Sequence, residues 1–361
     1  MIIYLTVTND LSYDQRMIRI CTSLANEGYT VTLVGRKLND SVPLVAQPFL
    51  QKRLHCFFTK GKLFYAEYNI RLFFYLLFKK MDCICAIDLD TILPCLFISR
   101  IKNSKRVYDA HELFCEMKEI VSRPRVYNIW KKIEQYAVSQ FENGYTVNQV
   151  IADEFKKMYR VNYEVIRSIT IKMDLVIPEK KEKYILYQGA VNEGRCFETL
   201  IPAMKFVDAT LLICGDGNFL EQTKQLVKEN DLTQKIILKG KIAPADLHAI
   251  TLNAYLGITL FDAEGLSNYY SLANRFFDYL HAGVPQICVD YPVYKEINDQ
   301  HEVAVLVHDL SAISIAKSIN ILLQDENLYN RLQQNCLSAR DVHNWQNEEK
   351  KLKTFYKTLI G

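Results

Sequence analysis

At 361 residues the chain is too long for one ordinary domain and suits two cores of about 150 residues each, hence a cleft. Apolar residues make up 49% and charged residues 24%, which excludes a disordered or lipid-embedded chain. The net charge of +3 hides an asymmetry, with 24 Lys+Arg against 17 Asp+Glu in residues 1–170 and 20 against 24 thereafter, so the first part favours anionic surfaces or phosphorylated acceptors.

In chain order, residues 2–7 read as a strand rather than a leader peptide, because no basic flank precedes them and polar Thr8-Asn9-Asp10 follow at once. Ser12-Tyr13-Asp14-Gln15 fits a capping box, and Met17, Ile20, Cys21 and Leu24 then mark one buried helical face that Glu27-Gly28 ends. Residues 29–34 give the second strand of a parallel crossover unit. Apolar runs at 84–87, 106–108 and 144–147 alternate with helical patterns near 64–80, 92–101, 127–141 and 148–158, which makes one doubly wound half.

The charged run from Pro178 to Lys183 marks the approximate boundary of a second series, with strands at 184–188, 210–214, 236–239, 256–260 and 286–289. A helical pattern follows each strand, and Pro202 is expected to kink or shorten the first of these helices. The expected fold is α/β, with one Rossmann-like domain over 1–170 and another over 171–342.

The ten cysteines form no CxxC pair, which fits a reducing compartment. Cys83, Cys85, Cys214 and Cys288 lie in apolar runs, and Cys83-Ile84-Cys85 reads as packing on one strand face rather than a metal or redox pair. No stretch reaches the roughly 18 apolar residues of a membrane span; the richest, 63–78, is broken by Glu67, Asn69 and Arg71. The expected location is therefore cytoplasmic.

Residues 52–80 interleave Lys52, Arg53, Lys60, Lys62, Arg71, Lys79 and Lys80 with nine aromatic residues. No RNA-binding or zinc-finger motif accompanies them, so nucleic acid is discounted as a partner. Two readings stay open: a helix packed on the sheet with exposed basic ends, or a surface for an anionic membrane that would place the protein peripherally at its inner face.

Ligands of open parallel sheets lie at the carboxyl ends of the strands, which directs attention to three loops. Gly189 opens one that carries Arg195, Gly215-Asp216-Gly217 form the second, and residues 262–273 the third. Glycine lets a phosphate approach the backbone and the next helix offers unpaired N–H groups; turn geometry explains the same glycines equally well. Asp88 and Asp90 read as a strand-end turn with helix caps rather than a metal pair.

The stretch from Asn268 to Ile287 resembles the donor-binding segment of GT-B fold retaining glycosyltransferases of family four, with Asn274, Arg275, Asp278 and Gly283-Val284-Pro285 at matching places. Asp14-Gln15-Arg16, Asp88-Leu89-Asp90-Thr91 and residues 108–114 resemble segments of that family's N-domain. Residues 189–200 resemble the first loop of its C-domain, and Asn344-Trp345 with Glu348-Glu349 the final helix, which crosses back to the N-domain. The resemblance spans nearly the whole chain. It implies two Rossmann-like domains facing each other across a cleft, with a C-terminal helix at about 343–361 packed back on the first.

It further implies transfer of a sugar, with retention of configuration, from a UDP- or GDP-linked donor to a glycan or lipid-linked acceptor in cell-surface polysaccharide synthesis, without cofactor or metal. His111 and Arg195 are then the catalytic residues, His111 beside the transferred sugar and Arg195 on the diphosphate, where a permanently charged, bidentate guanidinium steadies the leaving group. Arg275 assists and Asp278 accepts the ribose hydroxyls, while Gly189, Gly215, Gly217, Gly240, Tyr270, Ser271 and Asn274 complete the donor site. Asp14, Arg16, Asp88, Asp90 and Glu112 fall on the acceptor side.

Blander readings stand beside these: Arg275 as a surface salt-bridge partner, His111 as a histidine satisfied by backbone, Asp278 as a helix-surface aspartate. The chain departs from the family pattern where Tyr270 replaces a glutamate, Ala190 an arginine and Cys196 a glycine. A sugar-nucleotide epimerase of the same architecture and a non-catalytic sugar-nucleotide-binding protein are the alternative functions.

Overall fold

The computed structural model describes residues 1–39, 41–174, 178 and 181–361. Glu179 and Lys180, inside the charged run expected to mark the boundary, lie outside the described residues. The chain forms two compact units, one of Met1–Glu116, Ile120–Arg167 and Glu348–Gly361, the other of Met117–Glu119 and Ser168–Asn347.

Unit 1 is built on seven strands: β1 (Ile2–Thr6), β2 (Thr30–Lys37), β3 (Leu50–His55), β4 (Cys83–Ile87), β5 (Lys105–Ala110), β6 (Gly144–Thr146) and β7 (Glu164–Val165). They lie in the order β3-β2-β1-β4-β5-β6-β7, every neighbouring pair parallel. The direction of winding reverses between β1 and β4, the switch point at which such sheets hold ligands. Strands covered on both faces need apolar side chains throughout, and β4 is buried at all its positions. At the edge, β3 fully buries only Leu54, so its Gln51-Lys52-Arg53 core carries no strand pattern.

The first helix, Gln15–Asn26, buries Met17, Ile20, Cys21 and Leu24 as their spacing predicts. Its cap differs from expectation. Asp14, not Ser12, accepts the Met17 N–H (3.0 Å), while the Ser12 N–H bonds the Asp10 carboxylate (2.9 Å). The aspartate adjoining the helix reaches the orphan donor first, and the serine is held in an Asx turn.

Unit 2 has six strands: β8 (Glu182–Gln188), β9 (Thr210–Cys214), β10 (Ile236–Gly240), β11 (Ala254–Thr259), β12 (Gln286–Val289) and β13 (Ala304–Val307). Their order is β10-β9-β8-β11-β12-β13, again all parallel, with the switch point between β8 and β11. Leu186, Leu212, Cys214, Tyr279 and Val284 form part of its core. Pro202 confines the first helix to Phe197–Ala203, after which the chain tightens into a 3-10 turn. Each unit is thus a Rossmann-like α/β fold. The ten cysteines are all free and buried, and burial pushes the Cys83 thiol up to about 12, so it packs as a small hydrophobe.

Lys181, almost fully buried, donates to the carbonyls of Leu252 (3.0 Å) and Ala282 (2.8 Å), tying together the ends of two helices. Burial lowers its ammonium from 10.5 to about 8. A folded-state value below the unfolded one means that the unfolded chain binds more protons between these pH values, so stability rises with pH across that window. In urea melts at stepped pH, Lys181→Met is expected to remove a slope of up to about 1.4 kcal/mol per pH unit present in the parent.

Candidate functional site

In unit 2 the three loops at the carboxyl ends of β8, β9 and β11 hydrogen-bond to one another. Gly189 N–H donates to Cys214 O and Val191 N–H to Asp216 O, both at 3.0 Å, which joins the first loop to the second. Asp262 N–H donates to Gly194 O (3.0 Å), which joins the first to the third, and Asn268 Nδ2 donates to Asp262 Oδ1 (3.0 Å) within the third.

The glycines serve this convergence directly. A Cβ on Gly215 would lie 1.8 Å from the Gly189 carbonyl oxygen, and one on Gly217 would lie 2.3 Å from Asn192 Oδ1. Gly189 and Gly240 hold φ of +118° and +68°, which favours glycine. Loop packing therefore requires glycine at 215 and 217, and backbone conformation favours it at 189 and 240, whatever else binds there.

Arg195 and Arg275, eighty residues apart in sequence, both stack on the Phe261 ring, each guanidinium carbon 4.5 Å from its centroid. Arg195 is half-buried, with Nη1 donating to Asn268 Oδ1 at 2.7 Å. Arg275 is 7% exposed, lies 4.7 Å over the Tyr187 ring, and donates at 3.4 Å to Tyr187 OH and to the Leu260 carbonyl. Its Nε has no partner. The reading of Arg275 as a surface salt-bridge residue is thereby corrected: its helix turns it inward beneath Gly189. Among the described residues neither guanidinium is ion-paired, so two like charges share one ring without a carboxylate in direct contact; Asp262 reaches Arg195 only through Asn268. Such a pair attracts an anion.

Asp278, one helical turn beyond Arg275, is half-buried. Its Oδ1 accepts from Thr170 Oγ1 (2.6 Å) and its Oδ2 from Gln188 Nε2 (2.9 Å). Thr251 Oγ1 donates to Gln188 Oε1 in turn (2.7 Å), so a relay of side chains orients the carboxylate. Asn274 is exposed at the start of the same helix, Asn274–His281. Ser271 Oγ lies 3.3 Å from Tyr294 OH, and Tyr270 ends the short helix Leu266–Tyr269.

Sequence reasoning missed Phe261 and Lys118. Phe261 follows the interior strand β11 at its carboxyl end and was legible as an aromatic at a strand end. Lys118 was not legible: it belongs to unit 2 although the chain around it belongs to unit 1, and it binds Asp262 and Glu264 at 2.9 Å, 144 positions or more away.

Unit 1 has its own polar cluster around the β1/β4 switch point. Asp88 holds φ +54° and ψ 176°, a strained conformation for a residue with a Cβ. Its carboxylate accepts the His111 N–H (3.0 Å) and its own N–H donates to Asp109 O (3.0 Å), so the ends of β4 and β5 are locked together. Asp90 accepts from the Thr8 hydroxyl. The expected side-chain caps at Asp88 and Asp90 are absent because both carboxylates are engaged across the sheet edge.

Burial, with the charges of Glu112, Asp90 and Asp109, raises the Asp88 carboxyl well above the usual carboxylate range. Burial outweighs the Thr8 bond and Glu112 adds to it at Asp90, which rises to about 7. The His111 imidazole falls to about 3 through burial and the charges of Arg16 and Arg19, so it is neutral at physiological pH. Arg16 is not available to an acceptor, as its matching position had implied. It is buried and paired with Asp109 at 2.5 Å. Asp14 caps the first helix. Among the described residues no group of three or more His, Cys, Asp and Glu is placed to hold a metal ion.

Comparison with known proteins locates this arrangement. Residues 170–337 match the family model described as glycosyl transferases group 1, which takes in the whole Arg195, Phe261, Arg275 and Asp278 constellation. The chain matches no curated protein. Among solved structures it is similar to sucrose-phosphate synthase from Thermosynechococcus elongatus, with 16% identity, 99% of each chain covered and a TM-score of 0.83. It is also similar to Anabaena HepE solved with UDP-glucose, at 11% identity over 99% of this chain and 100% of that one, TM-score 0.76. WaaG, a glycosyltransferase of lipopolysaccharide biosynthesis, shares 12% identity over 97% and 98%, TM-score 0.74. At such identities the likeness establishes the GT-B fold, and the family match supports sugar transfer.

Proposed function

We propose that the chain is a group 1 glycosyltransferase that moves a sugar, with retention of configuration, from a UDP- or GDP-linked donor to a glycan or lipid-linked acceptor of cell-surface polysaccharide, using no resident cofactor or metal. The observation that carries this reading is the unpaired arginine couple on Phe261 at the switch point of unit 2. A diphosphate supplies the charge the pair lacks, and the guanidinium donors fit its oxygens. Asp278, set by Thr170 and Gln188, binds the ribose hydroxyls. His111, held neutral, acts toward the transferred sugar as a hydrogen-bonding group and not as a cation. The HepE complex with UDP-glucose favours a uridine donor.

The test is a thermal-shift series with UDP, GDP, their sugars and NAD. UDP or GDP is expected to raise the melting temperature, and Asp278→Ala to weaken that binding about tenfold or more, a loss of about 1.4 kcal/mol. Melting of the ligand-free variant separates this from damage to the Thr170–Gln188 relay. A response to NAD alone overturns the proposal.

A further inference from the structure

The helix Gly61–Leu77 is apolar on two opposite faces. Phe64, Tyr68, Leu72 and Leu76, at four-residue spacing, are buried in unit 1. About half a turn round the axis, Leu63, Ile70, Phe74 and Phe78 form a second stripe that faces solvent, with Phe74 56% and Phe78 82% exposed. The preceding turn adds Phe57, 78% exposed, and Phe58. Scattered apolar side chains on a surface are ordinary, but several large ones gathered on one helix face and its flanking turn point to an interaction site.

The rim of the stripe is cationic. Lys60 and Lys62 stand at one end and Lys79 and Lys80 at the other, with Lys52 and Arg71 alongside. Lys52 and Lys79 lie 6.0 and 5.1 Å from the Tyr75 centroid, and Arg71 lies 5.0 Å from that of Phe57. The single acid of residues 52–80, Glu67, offers no counter-charge to a partner. Its carboxylate accepts the Phe57 and Phe58 N–H groups at 2.9 Å and Arg71 Nε at 2.7 Å, which fixes the aromatic corner in place.

We propose that this face docks the protein on an anionic lipid bilayer, with the helix in the membrane plane, Phe57, Ile70, Phe74 and Phe78 in the acyl boundary and the lysines on lipid phosphates. Both parts of the surface are needed: apolar side chains supply insertion, and the cationic rim selects acidic headgroups. A second copy of the chain fits poorly, because two such faces would bring their lysine rims together. A nucleic acid would satisfy the lysines and could stack on the phenylalanines, but it would leave Leu63 and Ile70 uncovered and no RNA-binding motif accompanies them. Among the described residues no helix is long and apolar enough to cross a membrane, which is consistent with lying on one.

This inference goes beyond the sugar-transfer reading and is tested without any donor, by co-sedimentation with vesicles of phosphatidylcholine alone or with about 30% phosphatidylglycerol. The intact protein is expected to pellet with the anionic vesicles at low salt and to be released as salt rises. Phe74→Ser with Phe78→Ser, and separately Lys79→Glu with Lys80→Glu, should each weaken binding about tenfold or more. Both pairs are at the surface, so unchanged melting temperatures assign the loss to docking. Failure to pellet with anionic vesicles at low salt overturns the proposal, as does equal pelleting of the variants. A dimer in analytical ultracentrifugation that dissociates in the phenylalanine variant identifies a second copy as the occupant and also overturns it.

Discussion

Replacing Arg195 by alanine is expected to lower kcat/KM for sugar transfer by about 100- to 1,000-fold, the usual effect of deleting a donor aimed at charge that develops in the transition state. The side chain is half-buried and rests on Phe261 through its guanidinium, with one bond to Asn268. Removing it takes away few apolar contacts, so the melting temperature should change little. Arg195→Lys keeps the charge but not the fork, and should recover only part of the activity. Steady-state kinetics with the sugar nucleotide that gives the largest thermal shift checks this. Full activity in Arg195→Ala would remove Arg195 from the donor's phosphates. Arg275→Ala is a poorer probe, since its guanidinium is sandwiched by two rings and truncation would also open the core.

The other large effect concerns stability. Gly215→Ala places a methyl 1.8 Å from the Gly189 carbonyl oxygen, and that oxygen belongs to backbone, which has no rotamer to retreat into. Gly215 N–H is also tied to Gly240 O at 2.8 Å, so the strand end cannot easily move away. A loss of about 3 kcal/mol or more is expected, seen as a lower urea midpoint or as failure to recover soluble protein. Gly240→Ala is the matched control. It meets no heavy atom within 4 Å, and its positive φ alone should cost about 1 kcal/mol. Equal destabilisation by the two substitutions would refute the steric account.

The central strands of both sheets were legible because parallel strands buried on two faces leave an unbroken apolar run, as at Cys83–Ile87 and Gln286–Val289. Of the edge strands, β10 was legible at 236–239, whereas β3 and β7 bury too little to leave a pattern and β13 is a run of only four residues. The helix at 61–77 was legible from its aromatics, but only the fold decides which stripe of it faces inward. In the site, strand order alone pointed to Gly189, Gly215 and the loop after β11. The pairing of Arg195 with Arg275 on one ring, the capture of Asp278 by Thr170 and Gln188, and the Lys118 ion pairs join residues far apart in the chain, and no local pattern encodes them.

The last helix, Trp345–Ile360, begins in unit 2, but from Glu348 onward it belongs to unit 1, where Leu352 and Tyr356 are fully buried and Phe355 meets Tyr145 edge-on at 5.4 Å. On the ribosome, therefore, the half made first must wait for the half made second before its final layer can be laid down, and sequential folding of finished domains is denied to this protein. Expressing the two halves as separate polypeptides, cut between Arg167 and Ser168, would strip the earlier one of that layer.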